Sequence, residues 1–294
     1  MRGDDAMLLE TTILLDFLGF PEGPRWHEGK LWFSDVDEGR VMTVNLEGRS
    51  ETVLEVPAGP SGLGWLPDGQ LLVVSMNRRL LRIVPNGATI VTDLSGLASS
   101  TTNDMIIDLQ GRAYIGNFGY DFLDPSALPK LAEIILVMPD GKARIVADEM
   151  AFPNGMVITP DGRTLIVAES LAARLTAFDI EPDGSLTRRR VWAQFDGKGF
   201  GAFDKSRIFP DGICLDVEGA IWVASPEGGA NVMRVLEGGE ITHRVRVERQ
   251  PFAAMLGGPQ RTTLFVCTSI MSGGPPRSGR IETVEVEVPG AGLP

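Results

Sequence analysis

A six-bladed β-propeller, all-β with four antiparallel strands per blade, is predicted by three features of this 294-residue chain. Gly (35) and Pro (20) are abundant and fall in turn sequences such as Pro-Asp-Gly, Pro-Asn-Gly and Glu-Gly-Gly, which punctuate short apolar runs. A Phe-Pro-X-Gly tetrapeptide occurs as Phe20-Pro21-Glu22-Gly23, Phe152-Pro153-Asn154-Gly155 and Phe209-Pro210-Asp211-Gly212. The four-strand paragraph that follows it can be laid over the chain six times, and a repeat of about 40–50 residues marks a propeller or an array.

The copy that opens at Asn154 is the clearest. It runs through an apolar strand, the turn Pro160-Asp161-Gly162, a second strand ending near Ser170, a third over 174–180, the turn Pro182-Asp183-Gly184 and a polar strand over 186–192. From Glu22 the strands fall at 24–27, 31–35, 40–45 and 51–56. From Ser61 they fall at 63–66, 71–75 and 80–84, with a last one after Pro85-Asn86-Gly87. From Asn103 they occupy 105–108, 113–117, 133–138 and 143–147, with an insert over 119–131. From Asp211 they occupy 213–216, 221–224, 231–235 and 240–247. The copy from Ala253 ends one strand short, after 255–256, 264–268 and 280–288, while 7–18 is a strand-like segment without a partner. A toroid of sheets closes when the N-terminal strand completes the last blade. We therefore expect 1–294 to be one domain, with a single strand over 7–18 closing blade six.

Composition restricts the function. A net charge of −12 argues against nucleic acid and anionic membranes, which need basic surfaces, and favours a cation or a neutral small molecule. Acids interrupt the first ten residues and no segment approaches a membrane span, so the cytoplasm is the expected compartment. Cys214 and Cys267 lie in separate apolar runs, as buried thiols do.

Aligned, the copies place Glu22, Ser61, Asn103, Asn154, Asp211 and Ala253 in one register, immediately before each innermost strand, as a ring at one mouth of the central channel. Carboxylates and carboxamides are hard oxygen donors suited to one divalent cation, Ca²⁺ first, then Mg²⁺ or Mn²⁺, with Zn²⁺ left open. Any one of these residues reads equally as a turn cap. Turn capping does not explain two carboxylates and two carboxamides in one register.

Pro21-Glu22-Gly23-Pro24, Asn103-Asp104, Phe152-Pro153-Asn154-Gly155 with Thr159-Pro160-Asp161-Gly162, and Pro210-Asp211-Gly212 together resemble the senescence marker protein 30/gluconolactonase family of six-bladed propellers, over essentially the whole chain. The resemblance implies a metal held by Glu22, Asn154 and Asp211, a substrate contact from Asn103, Asp211 as general base, and hydrolysis of a lactone to a hydroxy acid. Asp104 would orient Asn103 or a ligand water, or cap the turn. The animal sugar lactonases resemble Arg-Pro-Asn-Asp where this chain has Thr101-Thr102-Asn103-Asp104, so Thr101 enters the substrate-binding set in place of an Arg that would meet sugar hydroxyls. Phe118, Tyr120 and Phe122 after blade three's second strand, and Phe200 and Phe203 before Asp211, form less polar rims that suit a less polar lactone or an aromatic ester.

The same ring would also suit an arylester or organophosphate hydrolase, as in the propeller paraoxonases, or a non-catalytic metal-binding scaffold. No Gly-x-Ser-x-Gly elbow is present. His27 and His243 read as structural. The segments 119–131 and 196–207 are candidate lids.

Overall fold

The computed structural model describes residues 6–85, 87–124, 126–196, 200–201, 206–229, 231–271 and 274–292. Six small antiparallel sheets follow one another along the chain. Blade one is Pro21–His27, Lys30–Asp35, Arg40–Val44 and Ser50–Glu55; blade two is Pro60–Trp65, Leu71–Ser75, Arg79–Val84 and Gly87–Asp93. Blade three is Thr102–Ile107, Ala113–Asn117, Ala132–Val137 and Ala143–Met150; blade four is Pro153–Ile158, Thr164–Glu169, Arg174–Ile180 and Leu186–Gln194. Blade five is Ile213–Leu215, Ile221–Ser225, Asn231–Val235 and Ile241–Arg246, and blade six begins with Gln250–Gly257, Thr263–Ser269 and Gly279–Glu285. The one helical turn among the described residues is the 3₁₀ segment Ser170–Ala172.

The N-terminal segment departs from the expected single strand. Thr12–Leu18 pairs antiparallel with Gly279–Glu285 and gives blade six its fourth strand, whereas Met7–Glu10 runs parallel along Ile241–Arg246 as a fifth strand of blade five. The break falls at Thr11, whose hydroxyl donates to the buried carboxylate of Glu282, also held by the Thr268 hydroxyl at 2.8 Å. Both adjoining blades present an open outer edge, and the segment satisfies each in turn.

The core lies between blades. Separate apolar clusters join blades one and two, two and three, three and four, and four and five. The cluster joining five, six and one takes in Leu18 as well as Trp26, Phe33, Trp222 and Phe265. Every sheet is thus covered on both faces, which explains why inner strands are apolar without strict alternation.

At the axis the constraint is steric. A Cβ on Gly62 would stand 2.4 Å from the Met105 nitrogen, one on Gly155 2.5 Å from the Ile213 nitrogen, and one on Gly212 2.5 Å from the Ala253 Cβ. The glycine of each Phe-Pro-X-Gly motif lets the neighbouring inner strand come close. Gly155→Ala should therefore lower stability by roughly 1–3 kcal/mol, measured as a shift in the urea midpoint. Gly96→Ala, at a site with open space around its Cβ position, should leave the midpoint in place.

Candidate metal centre and substrate cavity

The residue before each axial glycine is aimed by a bulge. Pairing of the first two strands shifts register between Glu22 and Arg25, Pro60 and Leu63, Thr102 and Met105, Pro153 and Met156, and Pro251 and Ala253. A bulge across the ring residue in blades one to four turns it toward the channel. In blade six the shift precedes Ala253, which packs beneath the ring against Gly212, so that Phe252 and not the expected Ala253 faces the cavity. Glu22, Ser61, Asn103, Asn154 and Ala253 consequently lie inside their strands rather than just before them, while Asp211 precedes Ile213–Leu215.

Hydrogen bonds orient the ring. Asn154 donates through Nδ2 to Ser170 Oγ at 3.3 Å, and Ser170 donates to the Pro210 carbonyl at 2.7 Å. Its Oδ1 is thereby turned toward Asn103, whose Nδ2 donates to it at 2.9 Å. Asn103 Oδ1 in turn accepts from the Ser61 hydroxyl at 2.7 Å. Asp211 is fixed by its main chain, its N–H donating to the Ala224 carbonyl at 2.9 Å.

Asp104 occupies the register that holds glycine in blades one, two, four and five. It is buried beneath the ring with Arg25, whose guanidinium donates to the Met105 carbonyl at 2.7 Å and the Pro24 carbonyl at 2.8 Å. Burial and the Asp104 charge push the Glu22 carboxyl up to about 8. Burial, then Glu22 and Asp104, hold Asp211 well above the usual carboxylate range, and burial also raises Asp104, against the opposing pull of Arg25. With every group ionised, three acids and one arginine carry a formal charge of −2, the complement of a divalent cation. Among the described residues no three Asp, Glu, His or Cys side chains form a metal cluster alone. The Glu22 and Asp211 carboxylates and the Asn154 amide oxygen are hard donors, and the three residues fit a hard cation.

A cavity of about 500 Å³ opens over Glu22, Asn103, Asn154 and Asp211. The phenylalanine of each motif, Phe20, Phe152 and Phe209, forms its wall, joined by Phe118, Phe122 and Phe252. Phe152 holds φ at +62°, an uncommon conformation for a bulky residue, and its ring stacks on Phe118 with centroids 4.7 Å apart.

A model of the family described as SMP-30/Gluconolactonase/LRE-like region matches residues 20–270. The chain belongs to this family. Among relatives of this SMP-30/gluconolactonase chain, pentonolactonase XacC of Haloferax volcanii is 26% identical over 254 residues, covering 84% of this chain and 81% of its own. Regucalcin of Danio rerio is 26% identical over 223 residues, covering 73% and 70%. Among solved structures, a calcium-binding protein, regucalcin from Agrobacterium tumefaciens, aligns over 97% of both chains with a TM-score of 0.80 at 23% identity. A gluconolactonase from Xanthomonas campestris gives 0.72 at 24% identity over 95% of this chain and 89% of its own. These structural likenesses show the propeller fold.

Of the expected substrate-binding residues, Asn103 and Phe118 line the cavity and Thr101 and Tyr120 do not. Thr101 accepts the Phe118 N–H through its carbonyl at 3.1 Å, a loop-closing role. Tyr120 is turned inward, 9% exposed, edge-on to Phe152. Phe122 lines the cavity, Phe200 lies outside it at 45% exposure, and Phe203 and most of the 196–207 loop fall outside the described residues. His27 stacks on Trp65 at 4.0 Å, away from the ring. Cys214 and Cys267 are buried free thiols.

Sequence reasoning missed a second register, the buried polar residues Asp35, Ser75, Asn117, Glu169, Ser225 and Ser269 that end each second strand. They tie down the loops that carry the ring. Asp35 accepts the Phe20 N–H at 3.0 Å, Glu169 the Ala151 N–H at 2.7 Å and Ser225 the Phe209 N–H at 2.9 Å. A polar residue closing an otherwise apolar strand in all six copies was the available signal.

The raised carboxyls predict a pH effect on the cation-free protein. An acid whose folded-state pKa is raised contributes stability that is full below its ordinary range and is lost as pH rises through the raised value. For Glu22 that window runs from 4.5 to about 8. In chelator the thermal midpoint should fall across this window, saturating Ca²⁺ should abolish the fall, and Asp211→Asn should raise the cation-free midpoint near pH 8 while removing the Ca²⁺ response.

Proposed function

We propose that this chain is a metal-dependent lactonase that opens a lactone to the hydroxy acid. The observation that carries the proposal is the grouping of half-buried Glu22 and buried Asp211 at the floor of a cavity whose walls are otherwise largely apolar, with Asp104 buried beneath them. A structural scaffold gains nothing from such repulsion. Two relatives carry the names pentonolactonase and gluconolactonase, and another is described as calcium-binding, which together with the oxygen donors makes Ca²⁺ the cation we propose.

Glu22, Asn154 and Asp211 would hold the cation, which when bound supplies Lewis-acid polarisation of the lactone carbonyl. Asp211 accepts a proton from the attacking water as the new C–O bond forms at the carbonyl carbon. The ring C–O bond then breaks and that proton passes to the departing ring oxygen, so lactone and water yield one hydroxy acid. Asn103 is pre-positioned by Ser61 and Asn154, and its second amide hydrogen is available to the carbonyl oxygen. Asp104 acts from beneath, where with Arg25 it sets the charge of the floor. The phenylalanine walls exclude water and so strengthen each of these electrostatic contacts.

Lactone hydrolysis, followed by pH indicator, should vanish on chelation and return with one divalent cation. Asp211→Asn should lower kcat/KM by about 10²–10⁴ with the circular dichroism spectrum unchanged. Full activity in chelator, or in the folded Asp211→Asn protein, would contradict the assignment.

A further inference from the structure

Taking the lactonase reading as given, we infer that the substrate is a lactone bearing an apolar alkyl or aryl substituent rather than a polyhydroxylated sugar lactone. The six phenylalanines form two surfaces flanking the ring. On one side Phe118 stacks on Phe152, with Phe122 edge-on to Phe118 at 4.8 Å and to Phe152 at 5.7 Å. Phe209 belongs to the same cluster. On the other side, Phe20 packs on Phe252 at 4.6 Å.

Outside the ring the polar lining among the described residues is sparse, and most of it is already engaged. Ser278 Oγ lies 3.1 Å from Ser269 Oγ and accepts the Ile270 N–H at 3.2 Å, while Ser269 reaches the Gly19 carbonyl at 3.4 Å. The guanidinium of Arg277 is bidentate on Glu38 at 3.0 and 2.6 Å. Asp37 stands exposed at the rim. A sugar lactone seated on Asn103 and Asp211 would turn its hydroxyls toward phenylalanine faces and lose their water partners without replacement, which a binding site penalises strongly.

An alkyl or aryl group meets the opposite situation. Phe122 and Leu123 come from the insert after Asn117, and Leu123 is 79% exposed. A substituent leaving the lactone ring over Phe118 therefore has a continuous apolar track along Phe122 and Leu123 to the cavity mouth. This assigns Phe122 as a specificity-determining residue of the insert.

The test is a series of γ-lactones with alkyl tails of increasing length, run beside pentono- and gluconolactones, with cation-loaded wild type and Phe122→Ala. We expect kcat/KM to rise up to about fourfold per added methylene until the tail clears Leu123, with the sugar lactones below the shortest alkyl lactone. Phe122→Ala should flatten the series. The matching γ-lactams, which are not hydrolysed, should inhibit with affinities that climb along the same chain lengths, a readout independent of turnover. Sugar lactones turned over faster than alkyl lactones, or a flat series in wild type, would overturn the inference and leave the lactonase reading standing. Inertness toward every lactone with every cation would overturn both.

Discussion

Six strands converge on one axis, and in four of the blades there is no room for a side chain where they cross. That steric limit organises the rest of the molecule. Glycine is needed at the crossing, the strand bulges just before it, and the bulge directs the preceding side chain into the channel mouth. The preceding phenylalanines, anchored by buried polar residues of the second strands, become the cavity wall. Wall, ligand and close approach come from one tetrapeptide, because packing at the axis fixes all three together.

Blade three relaxes this rule, and chemistry enters through the exception. Asp104 replaces the glycine and adds a third carboxylate below Glu22 and Asp211, with Arg25 as its counter-charge. Burying like charges is costly unless a cation joins them or a proton neutralises one. The inter-blade cores resist any outward relaxation, since each is shared by two sheets and the set is closed by Thr12–Leu18. Rigidity of the ring therefore keeps the carboxylates together, as the proposed cation site requires.

Much of this was legible in the sequence, for reasons that can be traced. The propeller followed from turn punctuation and from Phe-Pro-X-Gly, since a register shared by copies is a geometric statement. The family resemblance added roles to Glu22, Asn103, Asn154 and Asp211, all of which the fold brings to one floor. The split of the N-terminal segment at Thr11 was not legible, because Met7–Glu10 and Thr12–Leu18 have the same edge-strand character and only the positions of two open blade edges separate them. Nor was the inward turn of Tyr120, which depends on how the insert folds over Phe152. Arg25 was hidden for another reason: its significance arises from a blade-one strand lying beside blade three across the channel.

The account stands on a cation seated between Glu22, Asn154 and Asp211. Anomalous diffraction from Mn²⁺-soaked crystals tests this most directly, because it locates the ion without reference to turnover. The account predicts one dominant peak at the channel mouth, in contact with both carboxylates and the Asn154 amide oxygen. A dominant peak elsewhere on the propeller, or a channel mouth that stays empty while Glu22 and Asp211 remain in place, would contradict it.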